Sequence, residues 1–177
     1  MTTKTFARIR DRYLISSDPT LLSLSDINAA FASSAMYWCT PLPTHALRKC
    51  LDNSFCLGLY INVAASPMPP GLGTAPKPEQ IGLARMITDY TTFAYLTDVY
   101  IIEEEQGKGL GNWLIECVDE VLKEMGHLRA AMLVAGNEKG EEYYKNKLGM
   151  KRVEQGENGY VTMHRRGPEA DGSSKSH

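Results

Sequence analysis

Hydrophobic and polar positions follow two periods along the chain, and these periods divide most of it into helices and strands. Leu21 to Ser33 and Pro43 to Asp52 repeat at helical spacing, which predicts two short helices, the first capped by Ser23 or Ser25. Three apolar segments then predict strands joined as an antiparallel meander: Phe55 to Val63, Ile81 to Ile87 and Phe93 to Ile102.

The second half of the chain begins with a strongly amphipathic segment. Apolar residues recur at i, i+3, i+4 and i+7 from Leu110 to Met125, which predicts a helix that Gly126 ends. Further elements follow: a buried strand from Leu128 to Val134, a helix from Glu138 to Lys147 and a last strand from Gly159 to His164. The predicted order is αα-βββ-α-β-α-β, an α/β (α+β) fold with a mixed, mostly antiparallel sheet.

Length and composition favour one globular domain of ordinary kind. The 177 residues include 43% hydrophobic and 23% charged residues. We expect a single domain over residues 1–166, with a Pro/Gly-rich hairpin loop at 66–79 and a flexible tail at 167–177. The formal charge of −2 offers no basic field for nucleic acid, and no apolar run reaches the roughly 20 residues that a bilayer requires. With no secretory signal at the N-terminus, we expect a cytoplasmic protein that binds neither membrane nor nucleic acid, with nuclear entry left open.

Cysteine and histidine spacing indicates neither disulfides nor a metal. The four cysteines form no CxxC pair, and Cys56 and Cys117 lie within apolar patterns typical of reduced core thiols. The four histidines show no HxxxH or HExxH spacing.

One segment carries candidate chemistry: Gln106-Gly107-Lys108-Gly109-Leu110-Gly111, between a predicted strand and the amphipathic helix. Glycines let main-chain N–H groups approach a ligand, and a helix N-terminus adds about half a positive charge, so the segment predicts a pyrophosphate cradle. Lys108 would add a full positive charge. The alternative interpretation is a turn whose glycines merely permit tight packing.

In this context, Gln106-x-x-Gly109-x-Gly111 resembles the acetyl-CoA motif of the GNAT N-acetyltransferase superfamily. Asn137-x-x-Gly140-x-x-Tyr143-Tyr144 followed by Leu148-Gly149-Met150 is similar to the family's closing helix motif, with one additional residue before Gly149. The resemblance spans about Leu14 to His164, is closest to small single-domain bacterial and fungal members, and implies helices on both faces of the sheet.

The resemblance also implies roles for individual residues. The main chain of Val99, Tyr100 and Ile101 would bind the pantetheine arm as an added strand, although their side chains can equally be core. Gln106 to Gly111 would hold the pyrophosphate and Asn137 the pantetheine side. Tyr144 would contact the cofactor and protonate the leaving thiolate, with Tyr143 as the alternative donor.

The general base and the acceptor wall are less constrained. Asp98 is the acid in the interior of its strand, so it could act as a base through a water, or it could form a structural ion pair with Arg85. The acidic run Glu103 to Glu105 is a solvated rim or a surface that attracts a cationic amine. Tyr37 and Trp38 either border the acceptor pocket, as the resemblance implies, or pack in the core.

Together with the resemblance, these residues imply direct acetyl transfer from acetyl-CoA to a primary amine of a small molecule or peptide. We expect the reaction to proceed in a ternary complex of a monomer or homodimer without metal. Two alternatives remain open: a non-catalytic GNAT-fold module that binds acyl-CoA, and a phosphate or nucleotide binder that uses the same glycine loop.

Overall fold

A computed structural model of the protein describes residues 5–61 and 77–153. These residues fall into two compact units, one up to Val134 and one from Ala135 onward, which are described separately. The predicted last strand from Gly159 to His164, the predicted tail and most of the Pro/Gly-rich loop lie outside the described residues.

The first unit is built on one mixed sheet of six strands. The strands lie in chain order, and every neighbouring pair is antiparallel except the last, which is parallel. The parallel pair after the meander confirms the predicted crossover. The strands are β1 (Ala7–Arg10), β2 (Tyr13–Ser16), β3 (Phe55–Ile61), β4 (Glu79–Thr88), β5 (Phe93–Ile101) and β6 (Ala130–Met132).

The predicted order begins with two helices and is wrong there, because the structure has a hairpin of β1 and β2 before them. Three arginines make the segment look polar, yet Tyr13 and Ile15 are buried and pair with β3. β1 lies at the edge of the sheet, where charged residues are tolerated and limit pairing with other chains. The turn is formed by Asp11, whose φ is 52°.

Two helices cover one face of the sheet. α1 (Leu24–Ala32) begins three residues later than predicted because Pro19–Leu21 forms a separate 3₁₀ turn. Ser23, one of the two predicted caps, is the residue whose side chain caps α1. α2 spans Thr44–Asp52. Buried side chains of both helices form a core with three residues from the strands beneath: Cys56, Leu83 and Tyr100.

α3 (Leu110–Glu124) contacts β3, β4 and β5 through its buried apolar side. Five consecutive residues of β3, from Cys56 to Tyr60, are buried, so this strand is covered on both faces. The predicted mixed sheet with helices on both of its faces is confirmed. β6 is shorter than the predicted strand over Leu128 to Val134, and no helix among the described residues is long and apolar enough to cross a membrane.

The second unit contains α4 (Glu138–Leu148), one residue longer than predicted. Gly149 ends it with φ of 64°, a left-handed conformation that suits glycine. Glu141 on this helix forms an ion pair with Arg152, whose Nε lies 3.0 Å from Oε1.

Candidate active site

The glycine segment lies between β5 and α3 and exposes bare main chain. A short 3₁₀ turn, Glu103–Glu105, follows β5, and Gly109 immediately precedes the first turn of α3. Gly107 and Gly109 have φ angles of 76° and 75°, in the left-handed region where other residues are strained. The conformation of the loop therefore requires glycine at these two positions.

Gly111 has no such requirement. It lies inside α3 without a left-handed φ, and a Cβ built on it meets no heavy atom of the described residues within 4 Å. The same open space surrounds Gly107 and Gly109, so the interpretation of these glycines as a tight-packing device is wrong. Since glycine in a helix costs about 1 kcal/mol relative to alanine, Gly111 has a stability cost that nothing in the surrounding packing explains.

The N-terminus of α3 presents unpaired donors beside this space. Trp113 N is the first amide of the helix to bond back, to Gly109 O at 3.2 Å. The N–H groups of Leu110, Gly111 and Asn112 consequently donate to no acceptor among the residues described. Together with the positive end of a 15-residue helix, they form a site suited to a phosphate.

Gln106 fixes the start of the loop to the end of β5. Its Nε2 donates to Ile101 O at 2.8 Å, and its main-chain N donates to Glu103 O at 3.1 Å. The side chain of this motif residue is thus used within the protein, where it sets the direction of the chain into the glycines.

Lys108 is not the uncompensated cation that the sequence predicts. Its Nζ lies 2.8 Å from Glu105 Oε2 and donates to Glu104 O at 3.1 Å. The nearest carboxylate therefore offsets its charge, and the main-chain donors of α3 carry the attraction for an anion.

The expectation of a solvated acidic rim is wrong for Glu105, which is only 7% exposed. Tyr13 Oη donates to its Oε2 at 2.7 Å, and Arg12 Nη2 donates to its Oε1 at 3.2 Å. These interactions lower the pKa of Glu105, with the contact to Lys108 contributing most and the hydrogen bond from Tyr13 next. Glu103 and Glu104 are exposed as expected.

Arg12 and Tyr13 are site residues that the sequence analysis missed. Both belong to the unpredicted hairpin, so their proximity to Glu105 could not be inferred. The available signal was a short apolar run, Tyr13-Leu14-Ile15, in which Tyr and Ile are residue types that favour strands.

Within the part of the chain that the structure describes, one edge of β5 has no strand partner along most of its length. β5 pairs with β6 only from Phe93 to Tyr95, and beyond that point no described strand lies against this edge. Val99, Tyr100 and Ile101 therefore have main-chain groups on the open side. The Tyr100 side chain is buried in the core beneath α1 and α2, where burial raises the pKa of its phenol.

A β-bulge interrupts the same stretch of β5. Leu83 pairs with Tyr100 and Arg85 with Thr97, so two residues, Asp98 and Val99, lie opposite Ala84. Asp98 has a φ of 49°, a rare conformation for a residue with a side chain, and it is 7% exposed. The bulge redirects the main chain next to the open edge.

Both carboxylate oxygens of Asp98 are engaged. Arg85 Nε lies 2.7 Å from Oδ2, and Thr97 Oγ1 donates to Oδ1 at 3.2 Å. Arg85 is held in turn by Ser54 Oγ at 2.9 Å from its Nη1. The structure thus contains the ion pair that the sequence analysis left open as one alternative.

In the second unit, Asn137 lies at the start of α4 and Tyr144 lies within this helix. Asn137 is the N-cap, and its Oδ1 accepts from Gly140 N at 2.9 Å. Tyr144 packs edge-on against Tyr143 with ring centroids 5.2 Å apart. Burial raises the pKa of the Tyr144 phenol above its usual value of 10.0, so the hydroxyl stays protonated at neutral pH.

Tyr37 and Trp38 are exposed by 56% and 51%, so the alternative that they pack in the core is wrong. Their rings meet edge to face with centroids 5.1 Å apart. They form an aromatic surface between α1 and α2.

Two of the four cysteines are buried, and no metal cluster is found in the described ranges. Cys56 and Cys117 are free and buried, as predicted for core thiols, and burial raises their pKa values to about 12 and about 11. Within residues 5–61 and 77–153, no three His, Cys, Asp or Glu side chains are grouped to hold a metal ion.

Comparisons with known proteins agree with this geometry. Residues 44–150 match the model of the acetyltransferase (GNAT) family. A Gibberella zeae protein named "Putative acetyltransferase FG08082" is 45% identical over 149 residues, which cover 80% of this chain and 81% of that protein.

Solved structures share the fold at lower identity. A GNAT-family protein of Xanthomonas campestris pv. campestris superposes with a TM-score of 0.64 at 24% identity, covering 88% of this chain and 94% of its own. Glucosamine-6-phosphate N-acetyltransferase of Arabidopsis thaliana gives a TM-score of 0.52 at 14% identity, covering 87% and 97%. With its glycine loop, its bulged and half-open β5 and these matches, the chain belongs to the GNAT acetyltransferase family.

Proposed function

We propose that this protein is an acetyl-CoA-dependent N-acetyltransferase that acts on a primary amine of a small molecule or peptide. The observation that carries the proposal is Gly111: a helical glycine beside unpaired N–H donors, in space that no described protein atom fills. A ligand whose phosphates approach the main chain closely explains why a side chain is excluded there.

The loop would hold the pyrophosphate of the cofactor. Leu110, Gly111 and Asn112 would offer their N–H groups, and the left-handed conformations of Gly107 and Gly109 set the path of the chain into α3. Because Glu105 offsets the charge of Lys108, this recognition depends on main-chain donors more than on a side-chain cation.

The open edge of β5 would hold the pantetheine arm. Its amides can pair with the main chain of Val99, Tyr100 and Ile101 in the way that an added strand does. The bulge at Asp98 and Val99 lies at the inner end of this edge, so it is the point on the strand where we place the thioester.

Bound acetyl-CoA would supply an activated acetyl group, and the protein would supply position and protons. A neutral amine nitrogen forms a bond to the acetyl carbon, the carbon–sulfur bond breaks, and the nitrogen loses one proton while the sulfur gains one. Tyr144 is the proposed donor to sulfur, since its phenol is protonated at neutral pH and its acidity is close enough to a thiol's for transfer. Asn137, engaged as the cap of α4, would position the helix that carries Tyr144.

Asp98 is proposed to position the strand rather than to collect the amine proton. A base needs an accessible oxygen, and both oxygens of Asp98 have partners within 3.2 Å. Its ion pair with Arg85 bridges β4 and β5 at the bulge and would stabilise the left-handed residue there.

Tyr37 and Trp38 are proposed to border the acceptor. Exposed aromatic faces attract cationic amines, by about 0.5–1 kcal/mol at such positions, and bring them close before deprotonation.

Two assays test the proposal and separate it from its rivals. Thermal shifts with acetyl-CoA, CoA, ATP and NAD distinguish a CoA site from a nucleotide site, because a ligand at 100 times its Kd stabilises by about 2.7 kcal/mol. Release of free thiol from acetyl-CoA across a panel of primary amines then distinguishes an enzyme from a binding module. Stabilisation by CoA with amine-dependent thiol release supports the proposal, and stabilisation by ATP or NAD alone contradicts it.

A further inference from the structure

A buried carboxylate lies at the root of the glycine loop and joins it to a distant part of the chain. Glu105 is the last residue of the 3₁₀ turn before Gln106, and its side chain is 9% exposed. Tyr13, 92 residues away in sequence, donates to it at 2.7 Å in a buried hydrogen bond. Burying a charged carboxylate is costly unless several partners bind it, so the contacts of Glu105 with Tyr13, Arg12 and Lys108 are needed to keep it in this position.

Glu105 contacts one partner in the sheet, Tyr13, and one partner within the glycine segment, Lys108. Tyr13 is the first residue of β2, and it is held on both sides by pairing with Arg10 of β1 and Ile61 of β3. Lys108 lies within the loop, and its contacts with Glu105 and Glu104 O fold its side chain back along the 3₁₀ turn. Glu105 thus connects the sheet to the residue between the two left-handed glycines.

We infer that Glu105 is a positioning residue of the phosphate-binding loop, which fixes the loop on the N-terminal hairpin through Tyr13 and holds the ammonium group of Lys108 away from the open N–H donors. The inference rests on the proposed function for its ligand, the pyrophosphate of CoA. It assigns a role in cofactor recognition to a hairpin at the opposite side of the sheet from β6.

The electrostatics support this role. The carboxylate of Glu105 is closer to Lys108 than to Arg12, at 2.8 Å against 3.2 Å. This contact holds the one lysine of the segment Gln106 to Gly111, so the attraction for phosphate rests on the main-chain donors of α3. Its shape is then set before the ligand arrives, which lowers the entropy cost of binding.

The test uses the full chain with Glu105→Gln, which keeps the size of the side chain and can still accept from Tyr13 but cannot pair with Lys108. Glu103→Gln is the matched control, because that carboxylate is exposed in the same turn. Tyr13→Phe is a milder second variant that keeps the ring and removes one hydrogen bond. Amide hydrogen exchange of the free protein and calorimetric titration with CoA are measured for all of them.

We expect Glu105→Gln to raise exchange about tenfold at the hydrogen-bonded amides that flank the glycines, those of residues 105, 106 and 113, and to weaken CoA binding by about tenfold. The protection of residues 114–118 in α3 should not change. Tyr13→Phe should raise exchange at the same three amides by about threefold, and Glu103→Gln should match the wild type.

Unchanged exchange at the amides of residues 105, 106 and 113 in both Glu105→Gln and Tyr13→Phe would overturn the inference, as would an equal rise throughout the first unit, which indicates general destabilisation. Tighter binding of CoA by Glu105→Gln would also overturn it, because Lys108 would then be a phosphate ligand that Glu105 restrains. If the wild type does not bind CoA, the proposed function fails, while exchange in the free protein still decides the role of Glu105.

Discussion

Gly111→Ala tests whether glycine is required at this position for binding the ligand or for folding the protein. The added methyl group would stand at the N-terminal turn of α3, beside the free N–H groups of Leu110 and Asn112. No described heavy atom lies within 4 Å of the new Cβ, and the backbone there is not left-handed. In the free protein the substitution therefore introduces neither a clash nor strain.

The expected effects on stability and on binding have opposite signs. Replacing a helical glycine by alanine stabilises the folded state by about 0.5–1 kcal/mol, because the unfolded chain loses conformational freedom. In the complex, the methyl group would occupy space that phosphate oxygens need. Overpacking of this kind costs about 1–3 kcal/mol, which corresponds to a loss of roughly five- to 150-fold in affinity.

Two measurements on the same samples reveal this pattern. Urea unfolding gives the free energy of unfolding, and calorimetric titration gives the Kd for CoA. Gly126→Ala is the control: its Cβ also meets open space and its φ is not left-handed, but it lies beyond the opposite end of α3. This control should leave the Kd for CoA unchanged.

A Gly111→Ala protein that is as stable as the wild type or more so, and that binds CoA with undiminished affinity, would refute the argument. The phosphates would then lie elsewhere, and the open glycines would need another explanation. Parallel loss of stability and affinity would also refute it, because the methyl group would be meeting protein.

Three further predictions concern catalysis, packing and pH. Tyr144→Phe should lower kcat by about 100-fold in stopped-time assays of thiol release, with a Kd for acetyl-CoA within about twofold of the wild type. If only Tyr143→Phe loses activity, the proton donor is Tyr143 instead. Gly58→Ala should destabilise the fold by about 1–3 kcal/mol in urea unfolding, since its Cβ would lie 2.0 Å from the Oη of fully buried Tyr60; equal stability would contradict the packing described. The pKa of Glu105 is lowered from its ordinary value of 4.5, so its stabilising contribution is present above that pH and is lost as the pH falls through the lowered pKa. The difference in Tm between wild type and Glu105→Gln should therefore shrink on acidification. A difference that stays constant would count against the ion pair.

The elements with strong periodicity could be predicted from the sequence. α3 has a continuous apolar stripe, and the structure begins it at the predicted Leu110. The meander and the parallel pair followed from three apolar segments and one crossover. The Ser23 cap was equally visible, because capping is a local interaction between neighbouring residues.

Long-range contacts were beyond the sequence. The β1–β2 hairpin has a polar edge strand, and only its contact with Glu105 shows that it belongs to the site. The bulge at Asp98 depends on the register of β4 against β5, which a pattern of period two does not reveal. Whether Lys108 is paired likewise depends on Glu105, a buried carboxylate that Tyr13 binds from the other end of the chain.

The central claim is transfer of an acetyl group from CoA to nitrogen, and labelled acetyl-CoA tests it directly. The protein is incubated with [¹³C]acetyl-CoA and a panel of primary amines, and the fate of the label is followed by NMR and mass spectrometry. The account predicts that the label appears in an amide of at least one amine, with one free CoA thiol released for each amide formed and about 100-fold less product with Tyr144→Phe. Label that remains on CoA or appears only as acetate, with every amine in the panel, would contradict it.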